Sequence, residues 1–263
     1  MPRRSVIVTG AATAVGTACA RRFARDGDRL VLADTDEQIG RSLVEEIKGK
    51  GGEATFVLAD VANRLHVHNI VAEALESFGR VDVLAHMAGE EYSAAFLETS
   101  EEDFDRVVGA NLKSAFLINQ AVARQLIKQS ADGKDESAGG AIVNLMSVEA
   151  VTAAADHVAF AASQGGLHQM TKAVALALSA YGARANAVGV GAINTEAAGE
   201  KDRKRARETV PLKRLGDPEE VAETVFFLAS DAASYITGQS IYIDGGRMVR
   251  AGGARPERQN DED

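Results

Sequence analysis

The 263-residue sequence predicts an α/β fold, a mostly parallel sheet of seven strands with helices on both faces. Three observations carry that reading. Short β-rich runs alternate with longer stretches of helical pattern along the chain. Those stretches are long enough to act as crossovers, which parallel pairing requires. Length and composition fit one α/β domain with a large core, since 46% of residues are hydrophobic and 25% are charged.

The first strand, 6–9, lies in Ser5-Val6-Ile7-Val8-Thr9, and the small-residue turn after it opens a helix near 14–26. Strand 29–33 runs to Asp34, and Asp34-Thr35-Asp36 precedes a helix near 37–50. Strand 54–58 leads through Asp60-Val61 to a helix near 63–78. Strand 81–86 ends at His86 and is followed by a helical stretch near 101–129. The segment 130–140 (SADGKDESAGG) is polar and glycine-bearing, which marks a surface loop. Strand 141–145, an alanine-rich helix near 157–181, strand 184–188, a helix near 217–230 and strand 240–243 complete the pattern. A single domain is expected over 1–246. The tail, 247–263, has little apolar content, and its far end is expected to be disordered. In such sheets ligands bind beyond the carboxyl ends of the strands, and every motif below falls at one of those ends.

The net charge of −9 argues against non-specific nucleic-acid binding, which needs a basic footprint. Cys19 is the only cysteine, so no intramolecular disulfide and no cysteine-based metal site can form. The histidines lack metal-ligand spacing, and no metal is expected. No apolar run approaches the roughly 20 residues that span a bilayer. Met1-Pro2-Arg3-Arg4-Ser5 leads into the first strand without an apolar stretch, so the arginine pair reads as a solvated flank rather than an export signal. A reducing, cytoplasmic setting is expected.

The turn Thr9-Gly10-Ala11-Ala12-Thr13-Ala14-Val15-Gly16 joins a strand to a helix start, where small residues admit a pyrophosphate to the helix N-terminus. It resembles the Thr-Gly-x-x-x-Gly-x-Gly turn of the short-chain dehydrogenase/reductase family, with Ala14 at the middle glycine position. Asp34 stands where a carboxylate accepts bonds from ribose hydroxyls and repels a 2′-phosphate, which favours NAD(H) over NADP(H); the alternative is a helix cap. Asp60-Val61 matches the adenine-contacting pair. Ala88-Gly89 matches the end of the family's Asn-Asn-Ala-Gly turn, with His86-Met87 in place of the asparagines. Ile193 and Thr195 resemble the element that holds the nicotinamide carboxamide, although Val190-Gly191 replaces its Pro-Gly. The stretch from Arg214 through Asp217-Pro218-Glu219-Glu220 and Ile236-Thr237-Gly238 to Asp244-Gly245-Gly246 is similar to the family throughout. The resemblance covers residues 5–246 and implies a Rossmann-type doubly wound sheet.

The same resemblance implies catalytic positions. Asn111 matches the asparagine that organises a water relay, and Ser147 the serine that polarises the substrate oxygen. Where the family has its proton-donating tyrosine and, four residues on, its lysine, this chain has Phe160 and Gln164. Phenylalanine carries no ionisable proton. Glutamine carries no charge but can still bond a ribose hydroxyl. His157, Phe160, Gln164 and His168 follow at helical intervals of three or four, so His157 is a candidate substitute acid. Glu149 and Tyr92 are placed beside the same crevice, His86 reads as a structural residue, and His168 as an interface residue.

A substrate-covering segment is implied at about 194–212. It carries the basic run Lys201, Arg203, Lys204, Arg205 and Arg207, a candidate receiver for an anionic substrate or a phosphopantetheine carrier, or else a solvated helix face. The family's habit of pairing subunits through the helices near 101–129 and 157–181 implies a homodimer or homotetramer, with a heteromer containing an active relative as the alternative. Three functions follow. The leading expectation is an NAD(H)-binding protein inactive or poorly active in carbonyl and alcohol hydride transfer, serving as subunit, sensor or scaffold. The alternatives are an NAD-dependent oxidoreductase using His157 as proton donor, and a non-redox lyase or isomerase in the same crevice.

Overall fold

In the computed structural model, which describes residues 3–131, 139–195 and 198–249, seven strands form one sheet in the order β3-β2-β1-β4-β5-β6-β7. The strands are β1 (Ser5–Thr9), β2 (Arg29–Asp34), β3 (Glu53–Leu58), β4 (Val83–His86), β5 (Ala141–Ser147), β6 (Arg184–Val190) and β7 (Ser240–Ile243). Every neighbouring pair is parallel. The doubly wound architecture read from the sequence is therefore present. The strand order reverses between β1 and β4, and the crevice at that switch point is where such sheets bind ligands.

Side chains alternate across the sheet. Val6 and Val8 of β1 and Leu30 and Leu32 of β2 pack into one core with Phe23, Leu43, Ile47 and Leu228. Ile7 and Val31 face the other side, with Ile70, Ile118, Leu126 and Leu178. Period-two alternation with both faces covered explains why the strands read as continuous apolar runs. The covering helices are α1 (Ala14–Arg25), α2 (Glu37–Gly49), α3 (Arg64–Phe78), α4 (Glu101–Val108), α5 (Ser114–Ala131), α6 (Val158–Ser179), α7 (Glu200–Thr209) and α8 (Pro218–Leu228).

Three local departures from the sequence reading have physical causes. Strand β4 begins at Val83 rather than at residue 81, because the backbone N–H and C=O of Val81 are both taken by the Gln129 side chain. The single helix expected near 101–129 is two helices joined by a π-helical turn, Gly109–Lys113, which carries Asn111 inward. The covering segment contains a regular helix, α7, anchored by buried Ala206 and, just past its end, Val210 against Leu215. Most of the loop expected at 130–140 and the end of the tail lie outside the described residues, as do 196–197 within the covering segment.

Candidate active site

The carboxyl ends of β1, β2 and β4 frame one half of the crevice. Gly10 takes φ +67°, and a Cβ there would lie 2.5 Å from the Ala88 backbone N. A Cβ on Gly16 would fall 1.9 Å from the Gly10 carbonyl oxygen. Both glycines let the first turn fold against itself and against β4. Thr13 caps α1, its hydroxyl accepting from Gly16 N at 3.0 Å and donating to Gly10 O at 2.8 Å. Ala14 and Val15 line the cavity at the start of α1, where helix N–H groups favour an anion. This is a cradle that fits a pyrophosphate, with the Ala14 methyl at its rim.

Asp34 does not cap α2; Asp36 does, accepting from Ile39 N at 2.9 Å. The Asp34 carboxylate instead accepts from Ala12 N at 2.9 Å and from Asp36 N at 3.0 Å. It thereby joins the end of β2 to the first turn. With Gly10, Asp60, Val61, Ala88 and Gly89 it lines a cavity of about 590 Å³. Asp60 is held by its own turn, accepting from Ala62 N, while its N–H donates to His66 Nδ1. Thr9 and Gly16 line neither cavity; they sit behind the surface and shape it. Thr9 is hydrogen-bonded to His86 Nδ1 at 2.7 Å, and burial pushes the His86 imidazole down to about 4. His86 is fully buried beneath the crevice and lines neither cavity.

The adjoining cavity, about 580 Å³, gathers Asn111, Ser147, His157, Phe160, Gln164, Gly191, Ile193 and Thr195. Strand β5 carries Ser147 and is fastened to α5 and α6 by a buried network. There Asn144 exchanges bonds with Asn119 and donates to Thr171. The Asn111 amide is fully occupied: its Oδ1 accepts from Glu90 N at 2.9 Å, and its Nδ2 donates to Glu90 O and Val107 O. Its side chain holds the turn after β4, which passes so close that a Cβ on Gly89 would lie 2.7 Å from Asn111 Oδ1.

Phe160 is buried against Val107, Ala159 and Tyr92, and it offers no donor. Gln164, 4% exposed, accepts from Ser147 N at 2.9 Å through Oε1. The Ser147 hydroxyl accepts from Glu149 N at 3.1 Å. His157 stands at the N-cap position of α6, one residue before the helix, and its ring meets Phe160 edge-on at 6.1 Å between centroids. Its Nδ1 lies 2.8 Å from Glu149 Oε1, with both side chains mostly buried. The other carboxylate oxygen of Glu149 is buried without a protein partner among the described residues. The Glu149–His157 pair is the one titratable partnership among the cavity residues that joins an imidazole to a carboxylate. Sequence reading had both residues near the crevice but not their contact, because a 3-10 turn and a loop separate them without periodic signal.

His168 does not reach the cavity; it bonds Ser240 of β7 at 3.0 Å within the same chain. Tyr92 packs beneath Arg106, whose guanidinium lies 5.1 Å from the ring centroid and pairs with Glu90. Arg247, assigned to the tail by sequence, lines the cavity instead. The glycine pair just before it was the available signal for a turn returning to the site. No group of histidines, cysteines or carboxylates with metal-binding geometry exists among the described residues. No described helix is long and apolar enough to cross a membrane.

Comparison with known proteins adds four findings. The sequence profile of the family described as enoyl-(acyl carrier protein) reductase matches residues 10–247. The chain is 39% identical to an L-rhamnose 1-dehydrogenase (NAD(P)(+)) of Azotobacter vinelandii, over 94% of this chain and 97% of that protein. It is 37% identical to the 3-oxoacyl-[acyl-carrier-protein] reductase FabG of Thermotoga maritima, over 92% and 97% respectively. A short chain dehydrogenase from Bacillus anthracis superposes with a TM-score of 0.87 at 30% identity, covering 95% of this chain and 98% of that one. These relatives overturn the expectation of an inactive subunit, sensor or scaffold. Over nearly its whole length the chain is similar to dehydrogenases and reductases, which points to an oxidoreductase. The inactive reading weighed the missing tyrosine and lysine alone. It placed an oxidoreductase using His157 second, as the alternative.

Proposed function

This chain belongs to the short-chain dehydrogenase/reductase family, and on that premise we propose that it is an NAD(H)-dependent oxidoreductase in which His157, held by Glu149, carries the proton. The 2.8 Å contact between His157 Nδ1 and Glu149 Oε1 inside the cavity carries this reading. A bound nicotinamide supplies the hydride acceptor or donor. The chain's own residues do the rest.

With Nδ1–H donating to the carboxylate, the neutral ring keeps Nε2 as its acceptor, a tautomer assigned from the hydrogen-bond network. Alcohol oxidation then delivers the hydroxyl proton to Nε2, and carbonyl reduction returns it from the imidazolium. Glu149 stabilises that imidazolium and fixes the ring, as a buried carboxylate does for a histidine base. The Ser147 hydroxyl, whose oxygen accepts from Glu149 N, keeps its O–H to donate to the substrate oxygen. Gln164 keeps its Nε2 for a ribose hydroxyl, since its Oε1 is bound to Ser147 N–H. Asn111 acts by holding the Gly89-Glu90 turn. Ala14, Val15, Gly191, Ile193 and Thr195 line the dinucleotide path, with Asp60, Val61, Ala88 and Gly89 on the adenosine side.

Asp34 supports NAD(H) over NADP(H): its carboxylate is fixed by two backbone N–H groups at the adenosine cavity, where a 2′-phosphate would meet like charge. Exposed Phe116 on α5 and Leu176 on α6 support a dimer or tetramer through those helices.

The test is turnover of aldoses and 3-oxoacyl thioesters, the classes named by the relatives, with NADH or NAD⁺ and the purified chain. His157→Ala is expected to lower kcat by about 10²–10⁴ while leaving dinucleotide affinity in place. Turnover unaffected by that substitution refutes the proton role.

A further inference from the structure

We infer that Arg205 and Arg247 form an anion subsite in the wall of the catalytic cavity, so that the substrate is a small oxo or hydroxy compound bearing a carboxylate or phosphate. The inference deepens the oxidoreductase reading and rests on it for the identity of the reacting group, but the subsite stands on its own geometry.

Only one member of the basic run on α7 reaches the cavity. Arg207 is tied to Glu200 through an ion pair, and Lys201, Arg203 and Lys204 do not line that cavity, whereas Arg205, itself largely exposed, does. Arg205 and Thr209, four residues apart on one helical face, both line the cavity. The helix cannot rotate to hide that face, because Ala206 and Val210 are buried against Leu215.

Arg247 arrives from a different element. Asp244 closes a tight turn after β7, its carboxylate accepting from Gly246 N at 2.8 Å and Met248 N at 2.7 Å. Gly245 and Gly246 take φ +62° and +87°, conformations that L side chains rarely adopt. A Cβ on Gly245 would sit 2.5 Å from Val210 Cγ1, so the turn packs directly on the end of α7. Leu212 N donates to Gly245 O at 3.2 Å and stitches the two segments together. The two arginines therefore rest on segments bonded to each other, facing one cavity.

The charges around them favour an incoming anion. Of the carboxylates lining the cavity, Glu149 is committed to His157 and Glu90 to Arg106. Glu91 is exposed on the loop after β4, and Asp156 lies near Arg205 outside the lining. Neither Arg205 nor Arg247 makes a side-chain hydrogen bond or ion pair among the described residues, which leaves two guanidinium forks for an oxyanion.

Matched pairs test this: 3-oxobutanoate against its methyl ester, and glyceraldehyde 3-phosphate against glyceraldehyde, each by calorimetry with NADH present and by turnover. Wild type is expected to bind the anionic member at least tenfold more tightly in one pair, and that pair separates carboxylate from phosphate. Arg205→Gln and Arg247→Gln should each weaken the anion by about tenfold to a hundredfold, through KM rather than kcat, and leave the neutral twin unchanged. Arg203→Gln, on the same run but off the cavity, should change nothing. If wild type binds neither anion more tightly than its neutral twin, or the preference survives in both cavity-arginine variants, the subsite is refuted while the oxidoreductase reading stands. If anions bind in an arginine-dependent way but neither they nor the aldoses and 3-oxoacyl thioesters are turned over, the subsite stands and the oxidoreductase reading falls.

Discussion

Replacing Glu149 with glutamine isolates the contribution of the carboxylate while keeping its shape. The Oε1 to Nδ1 contact is 2.8 Å long, and the two side chains are 13% and 16% exposed, so solvent screens it little. A hydrogen bond to a charged partner contributes about 1.5–3 kcal/mol net, and the glutamine oxygen keeps a neutral bond in its place. The imidazolium formed during turnover thus loses the difference between a charged and a neutral bond, about 1–1.5 kcal/mol, or roughly fivefold to tenfold in kcat. The decisive measurement is a double-mutant cycle in kcat. Because Glu149 acts through the ring, Glu149→Gln in the His157→Ala background should lower kcat no further. Losses that multiply in the double variant would refute the relay and make Glu149 an independent contributor.

Two further outcomes follow from the crevice. Gly16→Ala forces a methyl to within 1.9 Å of a backbone oxygen that cannot move aside, and should destabilise by about 2 kcal/mol or more and weaken NADH. Gly49→Ala, with nothing within 4 Å, is its neutral control in the same chemical melts. His86, pushed down to about 4 from 6.5, stays neutral in the folded chain while the unfolded chain protonates first as pH falls. Its contribution is complete above pH 6.5 and is lost as pH drops towards 4, by about 3 kcal/mol in all. His86→Asn should flatten that part of the stability–pH curve, and an unchanged slope would place the acid sensitivity elsewhere.

The fold was legible because each signal is local. Apolar runs such as Val6-Ile7-Val8 become strands covered on both faces, and polar caps such as Asp36 and Asp217 open helices where the pattern changes. The crevice at the strand ends was legible for the same reason, since Gly10 follows β1, Asp34 ends β2 and Gly89 lies in the turn after β4. What escaped depends on contacts between elements. The π-helical turn at Gly109–Lys113 shifts the helical register without changing composition. The Glu149–His157 pair spans a 3-10 turn, and Gln164 meets Ser147 N–H across α6 and β5. Arg247 follows the last strand in a stretch whose polar composition resembles a free tail, yet the Asp244 turn brings it back. The weight placed on two absent residues came from comparing single positions. Near-full-length similarity to dehydrogenases and reductases is what overturned it.

That pairing also constrains what restoring the family's usual residues would do. Gln164 Oε1 is the acceptor for Ser147 N–H at a site only 4% exposed. Lysine offers donors alone, so Gln164→Lys leaves that N–H unpaired and sets a cation against it, whereas Gln164→Glu keeps an acceptor. An orphaned buried donor is worth about 1–3 kcal/mol, so Gln164→Lys should melt at clearly lower denaturant than either wild type or Gln164→Glu. Phe160→Tyr should be tolerated, because its ring already borders the cavity and meets the His157 ring at 6.1 Å. Adding the phenol and the ammonium together should therefore not raise kcat in proportion, since the ammonium disturbs the Ser147 segment that must present its hydroxyl. A Gln164→Lys variant as stable as wild type, with Ser147 undisturbed, would show that glutamine is a passive replacement.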